Sequence, residues 1–207
     1  MFVIGLTGGI GTGKSEVSRI LKELGAVVLD ADSFGHRVYL PNTEGLREVV
    51  ETFGEDVLSP DGEIDRRALG GKVFGNPDAM AKLNAIAWPK IRDMVQESID
   101  EQEQSETPVV VLDAAVLIEA GWIDVADEVW VVSAPEEQVV SRIQVRNNLS
   151  EEQVRARINS QMTTQERIKY ADKVIDNSED FEQLHVKVNS LWQQLIMDQG
   201  LSRRFNG

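Results

Sequence analysis

Short apolar runs recur along the chain: "FVIGL" (2–6), "AVVLD" (26–30), "VVVLD" (109–113), "EVWVVS" (128–133) and "KVID" (173–176). They are rich in β-branched residues, and most are nearly continuous rather than alternating, as strands covered on both faces are. Between them the period lengthens. Val17, Ile20, Leu21 and Leu24 fall at i, i+3, i+4 and i+7, and Gly25 stands where a C-terminal cap belongs. Pro135 with Glu136 and Glu137 opens another helix, and Phe181, Leu184, Val188, Leu191 and Leu195 stripe a last one. Strands alternating with helices predict a parallel α/β sheet.

Two segments interrupt the alternation. Residues 33–106 hold no convincing strand but carry helical stripes such as Leu83, Ile86, Ile91, Val95 and Ile99, broken by Pro60, Pro77 and Pro89. This is too long for a loop and reads as a helical insertion. The second is 142–168, with arginines at 142, 146, 155, 157 and 167. Within it "SEEQ" (150–153) and "TTQE" (163–166) have the form of capping boxes, so two short helices joined by a hinge are expected. The tail "LSRRFNG" is expected to fray.

The 207 residues suffice for one substantial core, or for a core with an appendage. No apolar run reaches the roughly 18 residues of a membrane span, and "FVIGL" lacks the basic flank and cleavage site of a secretory signal. A cytoplasmic protein with no membrane partner is expected. The absence of cysteine removes thiolate chemistry and cysteine metal sites, and two distant histidines, His36 and His185, make a poor zinc site. A net charge of −14 would repel a nucleic-acid backbone unless the basic residues shared one face, so no nucleic-acid partner is expected.

Gly8, Gly13, Lys14 and Ser15 match G-x-x-x-x-G-K-[ST], between a predicted strand and a predicted helix. Glycine lets successive N–H groups curl around an anion, and the helix adds its unpaired N–H groups and dipole. Lys14 can reach the β- and γ-phosphates and the Ser15 hydroxyl can ligate magnesium, which makes this a nucleoside triphosphate site. No N-K-x-D or L-S-G-G-Q motif occurs, which weakens GTPase and transporter readings. The arginine-rich 142–168 segment suggests a lid that excludes water so that the γ-phosphoryl group goes to an acceptor.

"LDADS" places Asp30 and Asp32 at the end of the second strand, where alternation would send both side chains to one face. One could take the acceptor's hydroxyl proton while the other supports the metal, with helix capping as the plainer alternative. Asp113, ending "VVVLD", is a further candidate metal-side carboxylate, again with capping as the alternative. On these features alone a nucleoside or nucleotide kinase and a non-catalytic ATP sensor stay open.

The ordered set "GLTGGIGTGKS", "LDADSFGHRV", "DRRALGGKVFGNP", "DAAVLIEAGW", "SRIQVRNNLSEEQVRARINSQM" and "ADKVIDNS" resembles the dephospho-coenzyme A kinase family over nearly the whole chain. The resemblance implies a P-loop kinase-type three-layer α/β/α fold with a five-stranded parallel sheet. It implies a nucleotide-binding core (1–32, 107–141 and 169–207), a helical acceptor-binding domain (33–106) and a helical lid (142–168). The implied activity is transfer of the ATP γ-phosphoryl group to the ribose 3′-hydroxyl of dephospho-coenzyme A, with Mg2+. A monomer is favoured.

Residue by residue, Gly11, Thr12, Gly13, Lys14, Ser15 and Glu16 correspond to the ATP-contacting loop, and Asp32 to the general base. Arg142 and Arg146 correspond to lid-side arginines facing the phosphates, and with Lys14 they would neutralise the transferring group. His36, Arg66 and Leu69 correspond to acceptor-binding positions. Trp88-Pro89 stands where many bacterial members have His-Pro, and "DAAVLIEAGW" where they have a Pro-Leu-Leu run. In both places the chain is similar to the kinase half of the animal bifunctional coenzyme A synthase, although a kinase without the adenylyltransferase half is expected. At position 16, Glu where Thr is common, the backbone N–H is the expected contact.

Overall fold

The structure, a computed structural model, describes residues 1–205. Every apolar run forms the expected strand: β1 (Phe2–Gly8), β2 (Val27–Asp30), β3 (Val109–Asp113), β4 (Glu128–Ser133) and β5 (Lys173–Asp176). They make one five-stranded sheet in the order β2-β3-β1-β4-β5. The β1–β3, β1–β4 and β4–β5 pairs are parallel, with Leu6 opposite Asp113, Gly8 opposite Val132 and Ser133 opposite Asp176. This register lines up the carboxyl ends of the strands, the edge at which open α/β sheets receive ligands.

Helices α1 (Lys14–Glu23) and α9 (Phe181–Asp198) cover one face of the sheet. Alternate strand residues Ile4, Leu6, Val109, Val111, Trp130, Val132 and Ile175 meet Val17, Ile20 and Leu21 of α1 and Leu184, Val188 and Trp192 of α9. The end of α1 is a Schellman turn: Gly25, at φ 106, donates to Lys22 O, and Ala26 donates to Leu21 O. In α9 the expected stripe shifts slightly, because Phe181 is half exposed and Trp192 is buried.

The tail is ordered to 205, contrary to the expected fraying. Leu201 and Phe205 pack on this core, and Phe205 meets Trp192 edge to face at 5.2 Å. Apolar area buried there offsets the chain entropy that would release a terminus. The remaining two tail residues, to which the expectation also applied, lie outside those described.

Met1–Leu29, together with the chain from Ile99 onward, forms one compact unit, and Asp30–Ser98 forms a second. The second unit contains α2 (Ala31–Arg37), α3 (Glu44–Phe53), α4 (Arg66–Val73) and most of α5 (Pro77–Gln104). Its own core is Val49, Val57, Leu69 and Val73, with Phe53, Ile64, Leu83 and Ile86 against them. Of the three prolines expected to break helices here, Pro77 begins α5 and Pro89 sits inside it. Pro89 removes only the amide bond to Ala85, while Ala87, Ile91, Val95 and Ile99 are buried around and beyond it, so packing outweighs one missing donor.

Candidate active site

The phosphate-loop motif bridges β1 and α1 in five residues, 9–13. Gly11 and Gly13 take φ of 75° and 101°, the left-handed region that side chains disfavour. At Gly13 a Cβ would also lie 2.2 Å from Asn177 Nδ2. Thr12 closes the turn by donating its hydroxyl to Gly9 O at 2.8 Å. The backbone N–H groups of Gly11, Gly13, Lys14 and Ser15 find no protein acceptor among the described residues. Four unspent donors at one sheet edge and one helix N-terminus form an anion cradle.

The Lys14 ammonium is ion-paired with Asp113 at the end of β3, both side chains being nearly buried. Asp113, expected on the metal side, is thus engaged with the loop lysine. The Glu16 carboxylate is taken by Arg19, and its N–H donates to Gly13 O at 3.0 Å in the first turn of α1.

The 142–168 segment holds the two short helices expected, joined through 160–163, and also the end of the longer helix before them. Its first part completes α6 (Glu136–Asn147), which ends at left-handed Asn148, and α7 (Glu151–Asn159) and α8 (Thr164–Ile168) follow. Both expected capping boxes, at Ser150 and Thr163, are present. Arg142 donates from Nη2 to Asn177 O at 2.9 Å, while its Nη1 is buried without a partner. Arg146 is exposed and donates to Asn147 Oδ1. Arg155 holds Glu136, Glu137 and Glu151.

Arg167 is different in kind: it is 1% exposed and donates to Thr7 Oγ1, Ala115 O and Glu119. It ties α8 to the two strand ends beside the cradle. Replacing Arg167 by Met strands Glu119, and the buried-pair cost of about 3 kcal/mol lowers the Tm by about 6–12 °C. Thermal unfolding of the two proteins measures this, and an unchanged Tm would show the pair to be energetically idle.

The remaining candidates lie in the second unit. β2 runs into α2 without a loop, so Asp30 and Asp32 do not alternate along a strand as expected. Asp30 is the N-cap of α2 and accepts from Asp32 N–H at 2.9 Å and from Ser33 N–H. Asp32 stands exposed in the first helical turn. His36 on α2 and, some thirty positions on, Arg66 and Leu69 of α4 line one cavity of 410 Å³ with Tyr39, Ile64 and Phe74. Burial pushes the Tyr39 phenol up to about 12, so it stays protonated at neutral pH. Trp88 lies on α5 and is half buried.

A family model described as dephospho-CoA kinase matches residues 2–183. A dephospho-CoA kinase of Dehalococcoides mccartyi is 45% identical over 197 residues, covering 95% of this chain and 98% of that one. The chain belongs to the dephospho-CoA kinase family. It is therefore a kinase, a transferase for which ATP is the phosphoryl donor. Among solved structures, the dephospho-CoA kinase of Campylobacter jejuni is similar at 28% identity with a TM-score of 0.70, covering 93% of this chain and 96% of that one. A shikimate kinase from Bacteroides thetaiotaomicron, at 14% identity and TM-score 0.53 over 94% of this chain and 98% of that one, shares the fold alone.

Two residues of this dephospho-CoA kinase family member touch the cradle without having been singled out from sequence. Gln161 Oε1 accepts the Ile10 N–H at 2.9 Å, and Asn177 Nδ2 donates to Thr12 O at 2.8 Å. Asn177 had a legible signal, since it follows a strand at the carboxyl edge of a parallel sheet. Gln161, in the turn between α7 and α8, had none.

Proposed function

We infer that the chain transfers the γ-phosphoryl group of ATP to the ribose 3′-hydroxyl of dephospho-coenzyme A, giving coenzyme A and ADP, the final step of coenzyme A biosynthesis. The observation that carries the reading to these residues is the cradle: four unspent N–H groups with Lys14 beside them, in a chain of this family. Gly11 to Ser15 hold the triphosphate; the contact expected from the Glu16 N–H is not carried over, because that group donates to Gly13 O. Asp32 takes the proton of the 3′-hydroxyl as that oxygen bonds to the γ-phosphorus, and the bond to the β,γ-bridging oxygen breaks to release ADP. Asp32 holds the position the resemblance gives to the base, and the part of the Asp30 carboxylate as the α2 cap counts against Asp30 in that role.

Residues 142–168 act as the lid. Arg142 and Arg146 face the phosphates from it, and the buried, unpartnered Nη1 of Arg142 favours a ligand acceptor there. The helical unit receives the acceptor in the cavity shared by His36, Arg66 and Leu69, whose 410 Å³ is within the usual size of a small-molecule site. Ser15 and Asp113 offer hard oxygen donors that suit Mg2+, an ion that commonly takes one or two protein oxygens and completes its shell with phosphates and water. When bound, that ion offsets negative charge on the β- and γ-phosphates. Among the described residues no helix is long and apolar enough to cross a membrane. A cytoplasmic, monomeric enzyme completes the proposal.

The experiment is acceptor-dependent ADP release. We expect dephospho-coenzyme A to stimulate it strongly and nucleosides not to, with the new phosphate on the ribose 3′ position by NMR. Equal release with and without acceptor, or preference for a nucleoside, would reject the reading.

A further inference from the structure

Asn177 follows the last residue of β5 and is 8% exposed. Three of its polar groups reach three different elements. Its N–H donates to Ser133 O at 2.8 Å, which prolongs the pairing of β5 with β4 by one residue. Its Nδ2 donates to Thr12 O in the phosphate loop, and its own carbonyl accepts from Arg142 Nη2 on α6. The cap of α9 is a different residue, Asp180, so capping does not account for Asn177.

The Thr12 contact has a geometric consequence. Thr12 C=O and Gly13 N–H belong to one trans peptide, in which the two groups point in opposite directions. An amide that holds the carbonyl therefore aims the Gly13 N–H away from the protein interior, and that N–H is one of the four with no protein acceptor. The same side chain fills the space a Cβ at position 13 would need, so the left-handed turn and the asparagine are matched. Its carbonyl, meanwhile, seats the guanidinium of Arg142.

We propose that Asn177 is a positioning residue for phosphoryl transfer, orienting the Gly13 N–H toward the bound triphosphate and setting where Arg142 stands. This rests on the kinase reading above and adds a residue that contacts neither the acceptor nor the reacting atoms. Asn177→Ala removes the donor, and Asn177→Asp replaces it by a carboxylate oxygen facing the Thr12 carbonyl.

Calorimetric titration with ATP, without acceptor, is expected to show affinity reduced about tenfold or more in both variants, from loss of a buried hydrogen bond and of an oriented donor. The KM for dephospho-coenzyme A should stay within about twofold, since nothing in the helical unit has changed, whereas a general loss of structure would move both constants. Folded variants that bind ATP as the wild type does would overturn the proposal. Should neither variant fold, the ¹⁵N-labelled wild type decides: the Gly13 amide proton is expected to move downfield on ATP binding, and an unmoved resonance rejects the assignment. The ATP titration needs no acceptor, so its outcome is independent of whether the wild type phosphorylates dephospho-coenzyme A.

Discussion

Asp32→Asn is expected to lower turnover by about two orders of magnitude or more, the usual contribution of a general base, while leaving ATP affinity unchanged. The amide keeps the shape of the side chain and the first turn of α2 but cannot take a proton. The neighbouring acid supplies the control. Asp30 accepts from two backbone N–H groups as the helix cap, and asparagine caps about as well, so Asp30→Asn should cost less than about tenfold. If the roles were reversed, Asp30→Asn would be the inactive variant. Steady-state turnover with saturating ATP and dephospho-coenzyme A reads both, and near-normal turnover for Asp32→Asn would remove Asp32 from proton transfer.

The same pair of aspartates shows where sequence reasoning stops. Hydrophobic runs located all five strands because a strand covered on both faces is apolar at nearly every position, and the phosphate-loop spacing is a local property of the backbone. Caps at Gly25, Ser150 and Thr163 were legible for the same reason: each depends on residues within a few positions of one another. Alternation failed at Asp30–Asp32 because the chain turns from strand into helix without a loop, and a strand rule was carried two residues too far.

Other features depend on partners that sequence spacing does not reveal. Arg167 sits in an arginine-rich segment, yet it is buried against Thr7, 160 residues away, and Glu119. Asn177 meets Thr12 across 165 residues. Pro89 would end most helices, and continues this one because the apolar residues around it are buried. In the helical unit the resemblance supplied His36, Arg66 and Leu69 as a set, and the structure brings all three to one cavity. Composition and periodicity alone would have left His36 as a surface histidine; it is exposed, and it lines that cavity as well.

Lys14→Ala should damage nucleotide affinity and rate together, unlike Asp32→Asn. The lysine ammonium is paired with Asp113 in a nearly buried setting, with side chains 14% and 11% exposed. Truncation therefore does two things: it removes the cation that meets the β- and γ-phosphates, and it leaves a carboxylate beside them with its charge uncompensated. The loss of a preorganised electrostatic contact commonly costs about 10²–10³ in kcat, and repulsion from Asp113 adds a rise in the KM for ATP. The second part is separable. In Lys14→Ala/Asp113→Asn the stranded charge is gone, so affinity for ATP titrated without Mg2+, which asks nothing of Asp113 as a metal donor, should recover partly, while turnover with Mg2+ stays low, the lysine still being absent. Calorimetric ATP titration and turnover of the single and double variants measure the two effects. Turnover unchanged in Lys14→Ala would contradict the assignment of the loop, and no recovery of affinity in the double variant would show that Asp113 is not what repels the nucleotide.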